Sequence, residues 1–243
     1  MNITPDVTTY HKKFLLENKQ SKVDKRLGFH ARLALDVQTK KDAYKLRHLC
    51  YHSSGYIDAH EDGEFSDPYD AAPSNKTIVI YDDEQPVASI RVCCMDLSSP
   101  DPAAKSLPLA HVFPDELTNL LEPHGRAIEL NRLVRHPAHA QSQGLVFILF
   151  RMADFMIRQH DPDFVASCVR SNHVGFYRRL RFEHISGPKK YTGLSFMTNF
   201  LACRRESYEV VRRIIPVLRI SPAAYSLYKG LLHGKTVPVF DHE

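Results

Sequence analysis

Apolar and polar residues alternate along several short stretches of the chain, which is the period-2 pattern of half-buried β-strands. Longer stretches between them have the length and apolar spacing of helices, and the most apolar, 144–159, fits a helix packed across a sheet. The predicted order is α β α β β α β α β α β β α α. Hairpins and crossover helices are mixed in it, so we predict an α/β fold with a mixed central sheet of about seven strands and helices on both faces.

The boundaries of these elements follow from turn and capping residues. Strands are predicted at 29–37, 76–81, 86–95, 127–134, 163–169, 182–186 and 194–203. Helices are predicted at 39–53, with Thr39 as the N-cap, and at 114–121, 144–159, 172–180, 206–218 and 222–232. Polar residues 6–24 form a further candidate helix. The predicted organisation is a polar helical segment (1–26), an α/β domain (27–203) and a C-terminal helical extension (204–243).

Composition narrows the class of protein. The chain has 243 residues, 43% of them hydrophobic, which suffices for one sizeable core. No apolar run reaches the roughly 20 residues of a membrane span, and the first residues do not resemble a secretory signal. The five cysteines lack CxxC spacing. We therefore expect a cytoplasmic protein that holds no metal.

The net charge of +4 is unevenly distributed. Residues 58–70 contain six acids and no Lys or Arg, whereas 170–235 contain thirteen Lys and Arg against three acids. The acidic stretch fits an amino-bearing substrate, and the basic stretch fits nucleic acid, cofactor phosphates or an acidic carrier protein. Both stretches are also compatible with an ordinary solvated surface. The basic third shows no nucleic-acid-binding motif, so no specific nucleic acid is expected.

Charged residues inside predicted strands are the main chemical signal. Arg91 lies in one apolar strand, and Glu129 and Arg132 lie in another. Buried charges are costly unless they are paired or take part in chemistry. Glu129 is thus a candidate general base, and the two arginines are candidate clamps for an acidic group. Alternatively, Glu129 forms a salt bridge with Arg132 or Arg91 that only fastens strands. Two guanidinium groups near this carboxylate would lower its pKa, which favours a water-mediated or positioning role over that of a strong base.

Two acids in the loop before these strands allow two interpretations. Asp67 and Asp70 could hold the ammonium group of a substrate. They could equally pair with Arg47 and Arg91 in a structural arrangement.

Several short motifs occur in a recognisable order: Arg47, Tyr51 and Tyr56, then Asp67-x-x-Asp70, Ala88-Ser89-Ile90-Arg91, Val112-Phe113-Pro114, Glu129-Leu130-Asn131-Arg132-Leu133-Val134 and Asn172-His173-x-x-Phe176-Tyr177-x-x-Leu180-x-Phe182. Over about residues 40–200 the chain resembles the GNAT acyltransferase superfamily. More narrowly, it resembles the branch of acyl-homoserine-lactone synthases and N-acyl amino acid synthases. The resemblance implies a GNAT-like sheet.

That resemblance also implies an activity: transfer of a long-chain acyl group from an acyl carrier protein thioester to the amino group of an amino acid. A lactone signal synthase, an aminolipid synthase acylating an ornithine-like amine, and a non-catalytic acyl sensor are the alternatives. The implied catalytic residues are Glu129 and Arg132, and the implied acceptor site comprises Arg47, Tyr56, Asp67, Asp70, Arg91 and Asn131. The implied acyl-donor site comprises Leu133, Val134, Gln141, Gly144, Asn172 and Tyr177, with a backbone N–H near Leu133 or Val134 for the oxyanion. Carrier-protein docking is predicted at Arg178, Arg179, Arg181, Lys189 and Lys190.

Departures from the family pattern refine the expected ligands. The usual pyrophosphate loop reads Arg/Gln-x-x-Gly-x-Gly/Ala, and here Val146 follows Gln141 and Gly144 in place of the last small residue. This favours acyl carrier protein over coenzyme A as donor, with no bound cofactor. The chain has no tryptophan, so Tyr56 is expected in the space that tryptophan takes in lactone synthases, which favours a free amino acid as acceptor. Candidates for an acyl tunnel are Phe147, Ile148, Phe150, Met152, Phe155 and Met156 on the 144–159 helix, with Phe196 and Met197. The basic C-terminal helices are candidates for peripheral membrane contact.

Overall fold

One mixed sheet of eight strands runs through the part of the chain that the computed structural model describes, residues 28–191 and 193–240. The strands are β1 (Phe29–Leu33), β2 (Asn75–Asp82), β3 (Gln85–Asp96), β4 (Arg126–Arg135), β5 (Phe164–Val169), β6 (Glu183–Lys190), β7 (Met197–Arg204) and β8 (Val237–Pro238). Their order across the sheet is β6-β7-β5-β4-β3-β2-β1-β8. Only β4 and β5 pair in parallel among these neighbours. The candidate helix at 6–24 lies outside the described residues.

Helices cover both faces of this sheet, as predicted. They are α1 (Val37–Ser53), α2 (Pro114–Leu120), α3 (Gln143–His160), α4 (Ser171–Arg179), α5 (Arg205–Ile214) and α6 (Pro222–Tyr228). On β2, Ile78 and Ile80 join the core beneath α3, whereas Val79 and Tyr81 pack on Ala43 of α1. This is the alternation expected of a strand buried on both sides. None of the described helices is long and apolar enough to cross a membrane.

The N-terminus of α1 differs from the prediction. Asp36, not Thr39, is the N-cap: its Oδ1 accepts a hydrogen bond from the Thr39 backbone N–H at 2.8 Å. The Thr39 hydroxyl donates to the other Asp36 oxygen at 2.7 Å. Both bonds favour the ionised carboxylate, and the backbone bond does most to lower the pKa of Asp36. The predicted first strand also ends earlier, at Leu33, because the chain must turn before this cap.

Two strands at the edges of the sheet differ from the prediction: one is longer than predicted and the other was not predicted. The strand predicted to turn near Gly187 instead continues to Lys190, with a register irregularity between Ser186 and Lys189. Gly187 has φ +118°, and a Cβ there would lie 2.8 Å from the Thr198 carbonyl oxygen, so only glycine fits. The eighth strand, β8, pairs with β1 but has only two residues, too few to produce a periodic pattern.

The C-terminal extension shares its core with α3. Its two helices are shorter than predicted, because 3₁₀ turns replace their C-terminal parts at Pro216–Leu218 and Lys229–His233. Arg151 of α3 is 4% exposed, and its guanidinium donates to the carbonyl oxygens of Val217 and Arg219 at 2.8 and 2.9 Å. One buried arginine thus ties two turns of the extension to α3. The domain boundaries themselves stay predictions.

A test of this attachment is the Tyr228→Phe variant. The Tyr228 hydroxyl accepts from Arg151 Nε at 2.9 Å and donates to the Val239 carbonyl, all in buried surroundings. Losing a buried hydroxyl that bridges two groups should lower the free energy of unfolding by about 1–2 kcal/mol in urea denaturation. The matched control is Tyr225→Phe on the same helix, whose hydroxyl meets Gln159 in an exposed position. Equal losses for the two variants would contradict the role given to Arg151 and Tyr228.

Candidate active site

The sheet opens between its two parallel strands. Ladder pairs join Ala127, Ile128 and Glu129 of β4 to Phe164, Val165 and Ala166 of β5, and the pairing ends there. The next residue of β5, Ser167, spans to β4 through its side chain instead, and its hydroxyl donates to the Leu130 carbonyl at 2.8 Å. The diverging halves of β4 and β5 therefore form the two sides of a cleft.

A cavity of about 720 Å³ fills this cleft, a size typical of small-molecule sites. Aromatic side chains form much of its wall: Tyr51, Tyr56, Phe147, Phe150, Phe176, Tyr177 and Phe196. Polar and basic side chains line other parts: Asn131, Arg132, Arg135, Gln143, Ser167, Arg170, Asn172, His173 and Arg179. One cavity can thus hold an apolar chain beside a polar or anionic group. Of the tunnel residues expected from the sequence, Phe147, Phe150 and Phe196 line it. Met197 is 49% exposed and does not, and the others are buried in the core away from it: Ile148, Met152, Phe155 and Met156.

A bulge in β4 shapes the wall of the cavity. Ser89 pairs with Val134 and Arg91 pairs with Asn131, so two steps along β3 match three along β4. At the extra residue, Arg132 takes φ +52°, which is uncommon outside glycine. Strict alternation would send Arg132 to the opposite face from Asn131. The bulge instead leaves both side chains in contact with the same charged cluster.

That cluster consists of three arginines and two aspartates. Asp67 accepts from Arg91 at 2.6 and 2.9 Å and from Arg132 Nη2 at 2.7 Å. Both oxygens of Asp70 lie 2.8 Å from Arg47 Nη1, and one lies 3.0 Å from Arg91. The side chains of Arg47 and Arg91 are fully buried, and Asp67 is 18% exposed. Buried charges are stable when paired in this way, and the structural pairing considered for Asp67 and Asp70 is the arrangement found.

The acidic loop is folded around the same carboxylates. Asp67 caps a short 3₁₀ turn (Pro68–Asp70), accepting from the Tyr69 N–H at 2.9 Å, and Asp70 accepts from the Asp67 N–H at 3.0 Å. Burial alone would raise the pKa of Asp67, but hydrogen bonds and charges from Arg91 and Arg132 outweigh it and hold that pKa well below its usual range. Asp67 therefore stays ionised and fixes Arg132 against the cavity.

Glu129 lies beneath the cavity, fully buried, beside this cluster. Its carboxylate accepts from the Leu109 N–H at 2.8 Å and from Asn131 Nδ2 at 3.1 Å, and the Tyr191 hydroxyl lies 3.4 Å away. It forms no ion pair with either arginine predicted as its partner, since Arg91 and Arg132 both contact Asp67. Burial raises the pKa of Glu129. The hydrogen bonds from Asn131 and Leu109 and the predicted effect of the Arg91 and Arg132 charges lower it, but burial outweighs them, so the pKa lies above its ordinary value.

Asn131 links Glu129 to the arginines. Its side-chain oxygen accepts from Arg91 Nε at 2.9 Å while its amide donates to Glu129, and Asn131 also lines the cavity. The fixed direction of these two bonds orients the amide, and with it the Glu129 carboxylate. The Arg132 guanidinium carbon lies 4.9, 5.7 and 5.9 Å from the ring centres of Phe65, Tyr191 and Tyr51. Its Nη1 is buried and has no hydrogen-bond partner among the described residues.

Of the other residues predicted to contact the acceptor, one lines the cavity and four do not. Tyr56 lines the cavity, and its ring lies edge-on to Phe196 and 4.8 Å from the Arg170 guanidinium carbon. Arg47, Asp67, Asp70 and Arg91 lie in the cluster behind the wall rather than on it. Asn131 and Arg132 connect this cluster to the cavity.

The residues predicted for the acyl donor are also divided. Leu133, Val134, Asn172 and Tyr177 line the cavity. Gln141 and Gly144 do not line it, whereas Gln143, the first residue of α3, does. Of the residues predicted for docking, Arg179 lines the cavity and Lys189 pairs with Glu116 at 2.8 Å, while the exposed members are Arg178, Arg181 and Lys190.

Cysteine chemistry is not favoured at this site. Burial raises the pKa of the Cys50, Cys94 and Cys203 thiols to about 12, and it raises the pKa of Cys93 and Cys168 as well. The thiolate is the nucleophilic form, so these thiols are inert near neutral pH. Among the described residues, no group of three or more His, Cys, Asp and Glu side chains could hold a metal ion.

Three residues at this site were missed by the motifs. Arg170 donates to the Tyr56 hydroxyl and lies 2.9 Å from the His173 ring nitrogen, and Arg135 donates to the Ser142 carbonyl at 2.7 Å. Arg135 ends β4 and Arg170 directly follows β5, so a basic residue at the end of a buried strand was the available signal for both. Tyr191 gave no signal, since it reaches Glu129 across 62 residues of sequence.

Comparison with known proteins agrees with this architecture. The fold matches the structure of FeeM, an N-acyl amino acid synthase from uncultured soil microbes, over 75% of this chain and 93% of that one, with a TM-score of 0.63 and 17% identity. It matches BjaI, a CoA-dependent acyl-homoserine lactone synthase, over 83% and 99%, with a TM-score of 0.57 and 14% identity. It matches the acyl-homoserine lactone synthase LasI over 72% of this chain and 90% of that one, with a TM-score of 0.51 and 16% identity. At such identities the likeness concerns the fold.

Sequence comparison is more specific. The curated proteins give no match. The family model of the N-acyl amino acid synthase FeeM matches residues 42–204, which is more than half of the chain and includes most of α1, the charged cluster and both strands of the cleft. The chain therefore belongs to the FeeM family of N-acyl amino acid synthases and is an acyltransferase.

Proposed function

We propose that this acyltransferase moves a long-chain fatty acyl group from an acyl carrier protein thioester to the amino group of an amino acid. The observation that carries the proposal is the single cavity in which aromatic walls adjoin the β4 bulge and the Asn131–Glu129 pair. Such a cavity can bring an acyl chain, a thioester carbonyl and a polar acceptor together. Family membership supports the reaction class.

Glu129 is the proposed proton acceptor. An α-ammonium group must lose a proton before its nitrogen can attack a thioester, and the raised pKa of Glu129 suits a carboxylate for that task. Since Glu129 is fully buried beneath the cavity wall, the proton would travel through water beside Asn131. Arg132, fixed by Asp67, would face the acceptor carboxylate from the same wall.

The donor side of the reaction needs two further groups. The bulge at Arg132 interrupts the β3–β4 ladder, which supports the Leu133 backbone N–H as a donor to the developing oxyanion. Tyr177 lines the cavity, and burial raises the pKa of its hydroxyl, which keeps it protonated. That hydroxyl is a candidate to donate a proton to the departing thiolate. Attack then forms the amide bond and breaks the carbon–sulfur bond without a covalent enzyme intermediate.

The carrier protein is the proposed source of the thioester. Exposed Arg178, Arg181 and Lys190 lie close in the sequence to Arg179 on the cavity wall, which suits an acidic partner delivering its prosthetic arm. Coenzyme A remains the alternative donor. Peripheral membrane contact through the C-terminal helices and a cytoplasmic location stay predictions.

The test is turnover by the purified protein. Dodecanoyl thioesters of acyl carrier protein and of coenzyme A are each offered with the common amino acids and, separately, S-adenosylmethionine; products are identified by mass spectrometry and released thiol is measured. We expect N-dodecanoyl amino acids, formed faster from the carrier protein. Acyl-homoserine lactones instead would make the protein a signal synthase. Thioester turnover with neither product would contradict the proposal and favour another amine, such as an aminolipid precursor.

A charge-reversal variant separates docking from chemistry. Arg178→Glu with Lys190→Glu should raise KM for dodecanoyl carrier protein by roughly tenfold, because rim charges steer association, and leave KM for dodecanoyl-pantetheine unchanged. The reference variant is Lys40→Glu with Lys41→Glu on α1, far from α4 in the sequence. Equal KM shifts for the two pairs would exclude this docking face.

A further inference from the structure

The wall of the cavity carries an excess of positive charge. Four arginines line it: Arg132, Arg135, Arg170 and Arg179. Among the described residues, no Asp or Glu side chain lines it. Asp67 and Asp70, the acids suggested for holding an ammonium group, are instead paired with arginines behind the wall. A ligand in this cavity therefore meets more positive than negative charge.

Two of these arginines are hydrogen-bonded to neutral groups. Arg135 donates to the Ser142 carbonyl at 2.7 Å. Arg170 donates to the Tyr56 hydroxyl and lies 2.9 Å from His173 Nε2. Burial, followed by the charges of Arg170 and Arg135, lowers the pKa of His173, so that ring is uncharged at neutral pH. The groups that bind these two guanidinium groups thus leave their charges uncancelled.

Aromatic rings also hold Arg170 in place. Its guanidinium carbon lies 4.8 Å from the centre of the Tyr56 ring and 5.8 Å from that of Phe196. The Tyr56 carbonyl accepts from the Ser195 N–H at 3.1 Å, which ties this loop to the chain just before β7. Turning the guanidinium away from a nearby cation would break these contacts, so its charge stays on the wall.

Arg170 and Arg132 belong to one continuous part of this wall. The Arg132 guanidinium carbon lies 5.9 Å from the centre of the Tyr51 ring, and the Tyr56 N–H donates to the Tyr51 carbonyl at 2.9 Å. The Tyr56 hydroxyl in turn accepts from Arg170. Since Arg132 is the proposed partner of the acceptor carboxylate, the side chain of that acceptor can extend along the two tyrosines to Arg170.

We infer that Arg170 is a specificity-determining residue that excludes acceptors with a positively charged side chain, leaving amino acids whose side chains are neutral or acidic. The inference rests on the proposed function for the place of the acceptor in the cavity. Like charges repel strongly where little water separates them. Ornithine and lysine end in an ammonium group, and S-adenosylmethionine carries a sulfonium. The charge of the wall therefore argues against both alternative acceptors, the ornithine-like amine and S-adenosylmethionine.

The test compares two unreactive ligands that differ in one charge. Nα-dodecanoyl-norleucine and Nα-dodecanoyl-ornithine have side chains of the same length, and only that of ornithine ends in an ammonium group. Calorimetry gives their dissociation constants for the unaltered protein, Arg170→Gln and Arg170→Glu. The control is Lys45→Glu, which reverses an exposed charge on α1 away from the cavity wall. Thermal melting reports on folding.

We expect the unaltered protein to prefer the norleucine compound on the order of a hundredfold, partly because Arg170 repels the ammonium group and partly because binding strips it of water. Arg170→Gln should reduce this preference about tenfold and Arg170→Glu should reduce it further, since only the repulsion depends on the charge at position 170. Lys45→Glu leaves the preference unchanged. A purely structural role of Arg170 would weaken both ligands alike and keep their ratio.

Several results would overturn the inference. An unchanged ratio in Arg170→Gln would show that the charge at position 170 does not select the acceptor, and this variant decides if Arg170→Glu does not fold. Equal affinity of the unaltered protein for the two ligands, or binding of neither, would also overturn it. Turnover separates the inference from the proposed function. Ornithine acylated as readily as norleucine would refute the inference alone, whereas selective binding without any N-acyl product would refute the proposed reaction alone.

Discussion

Glu129→Gln is expected to lower kcat for acyl transfer by about 10²- to 10⁴-fold in a protein that stays folded. The carboxylate receives hydrogen bonds from Leu109 and Asn131, and glutamine keeps its size and shape. What glutamine cannot do is accept a proton from the acceptor ammonium. The measurement is steady-state release of thiol from an acyl thioester, with circular dichroism and thermal melting to confirm folding.

The pH dependence gives a second, independent readout. Burial raises the pKa of Glu129 above the ordinary 4.5. The active form is the carboxylate, so kcat/KM in the unaltered protein should fall as the pH drops through a value above 4.5. That acid limb should be missing in Glu129→Gln, because glutamine does not titrate in this range.

A neighbouring variant controls for disturbance of the hydrogen-bond network. Tyr191→Phe removes the hydroxyl 3.4 Å from Glu129 and leaves the carboxylate in place. Loss of one weak contact should reduce kcat by less than about tenfold and keep the acid limb. If Glu129→Gln retained the rate and the pH profile of the unaltered protein, Glu129 would be a structural residue that orders the strands.

The fold could be predicted in most of its elements because they bury regular patterns. The long helix α3 and the strands β2 to β5 each contain a long, largely apolar run, and their ends lie within one residue of the predicted positions. Errors occurred where short-range chemistry decided the outcome. Asp36 and Thr39 are both good caps three residues apart, and the side chain of one binds the backbone of the other. Nothing in a pattern of residue types separates those two roles.

The site could be predicted in its residue types but not in its pairings. Charges in strands predicted that Arg91, Glu129 and Arg132 would find partners. The partners depend on the bulge at Arg132, a non-glycine residue with positive φ that no residue type indicates. They also depend on donors distant in sequence, such as the Leu109 N–H, 20 residues before Glu129. Consequently, Arg91 and Arg132 both form ion pairs with Asp67 and not with Glu129.

Asp67→Asn is expected to lower the free energy of unfolding by about 3 kcal/mol at pH 7. Removing this charge leaves the guanidinium groups of Arg91 and Arg132 buried, with Asp70 as the remaining carboxylate near Arg91. Asparagine can still accept the capping bond from the Tyr69 N–H, so the loop keeps its turn. Urea denaturation measures the change. Asp58→Asn, an exposed acid in the same loop, should stay within about 0.5 kcal/mol of the unaltered protein.

The pH dependence of this loss identifies the charge as its cause. The pKa of Asp67 is lower in the folded protein than in the unfolded chain, where it is about 3.9. The stabilisation is therefore fully present above about pH 4 and is lost as the pH falls toward the folded-state pKa. The difference in unfolding free energy between the two proteins should stay constant from about pH 7 to pH 5 and shrink below about pH 4. A difference that persists unchanged at about pH 3 would mean that the shape of the side chain, rather than its pairing with Arg91 and Arg132, stabilises the cluster.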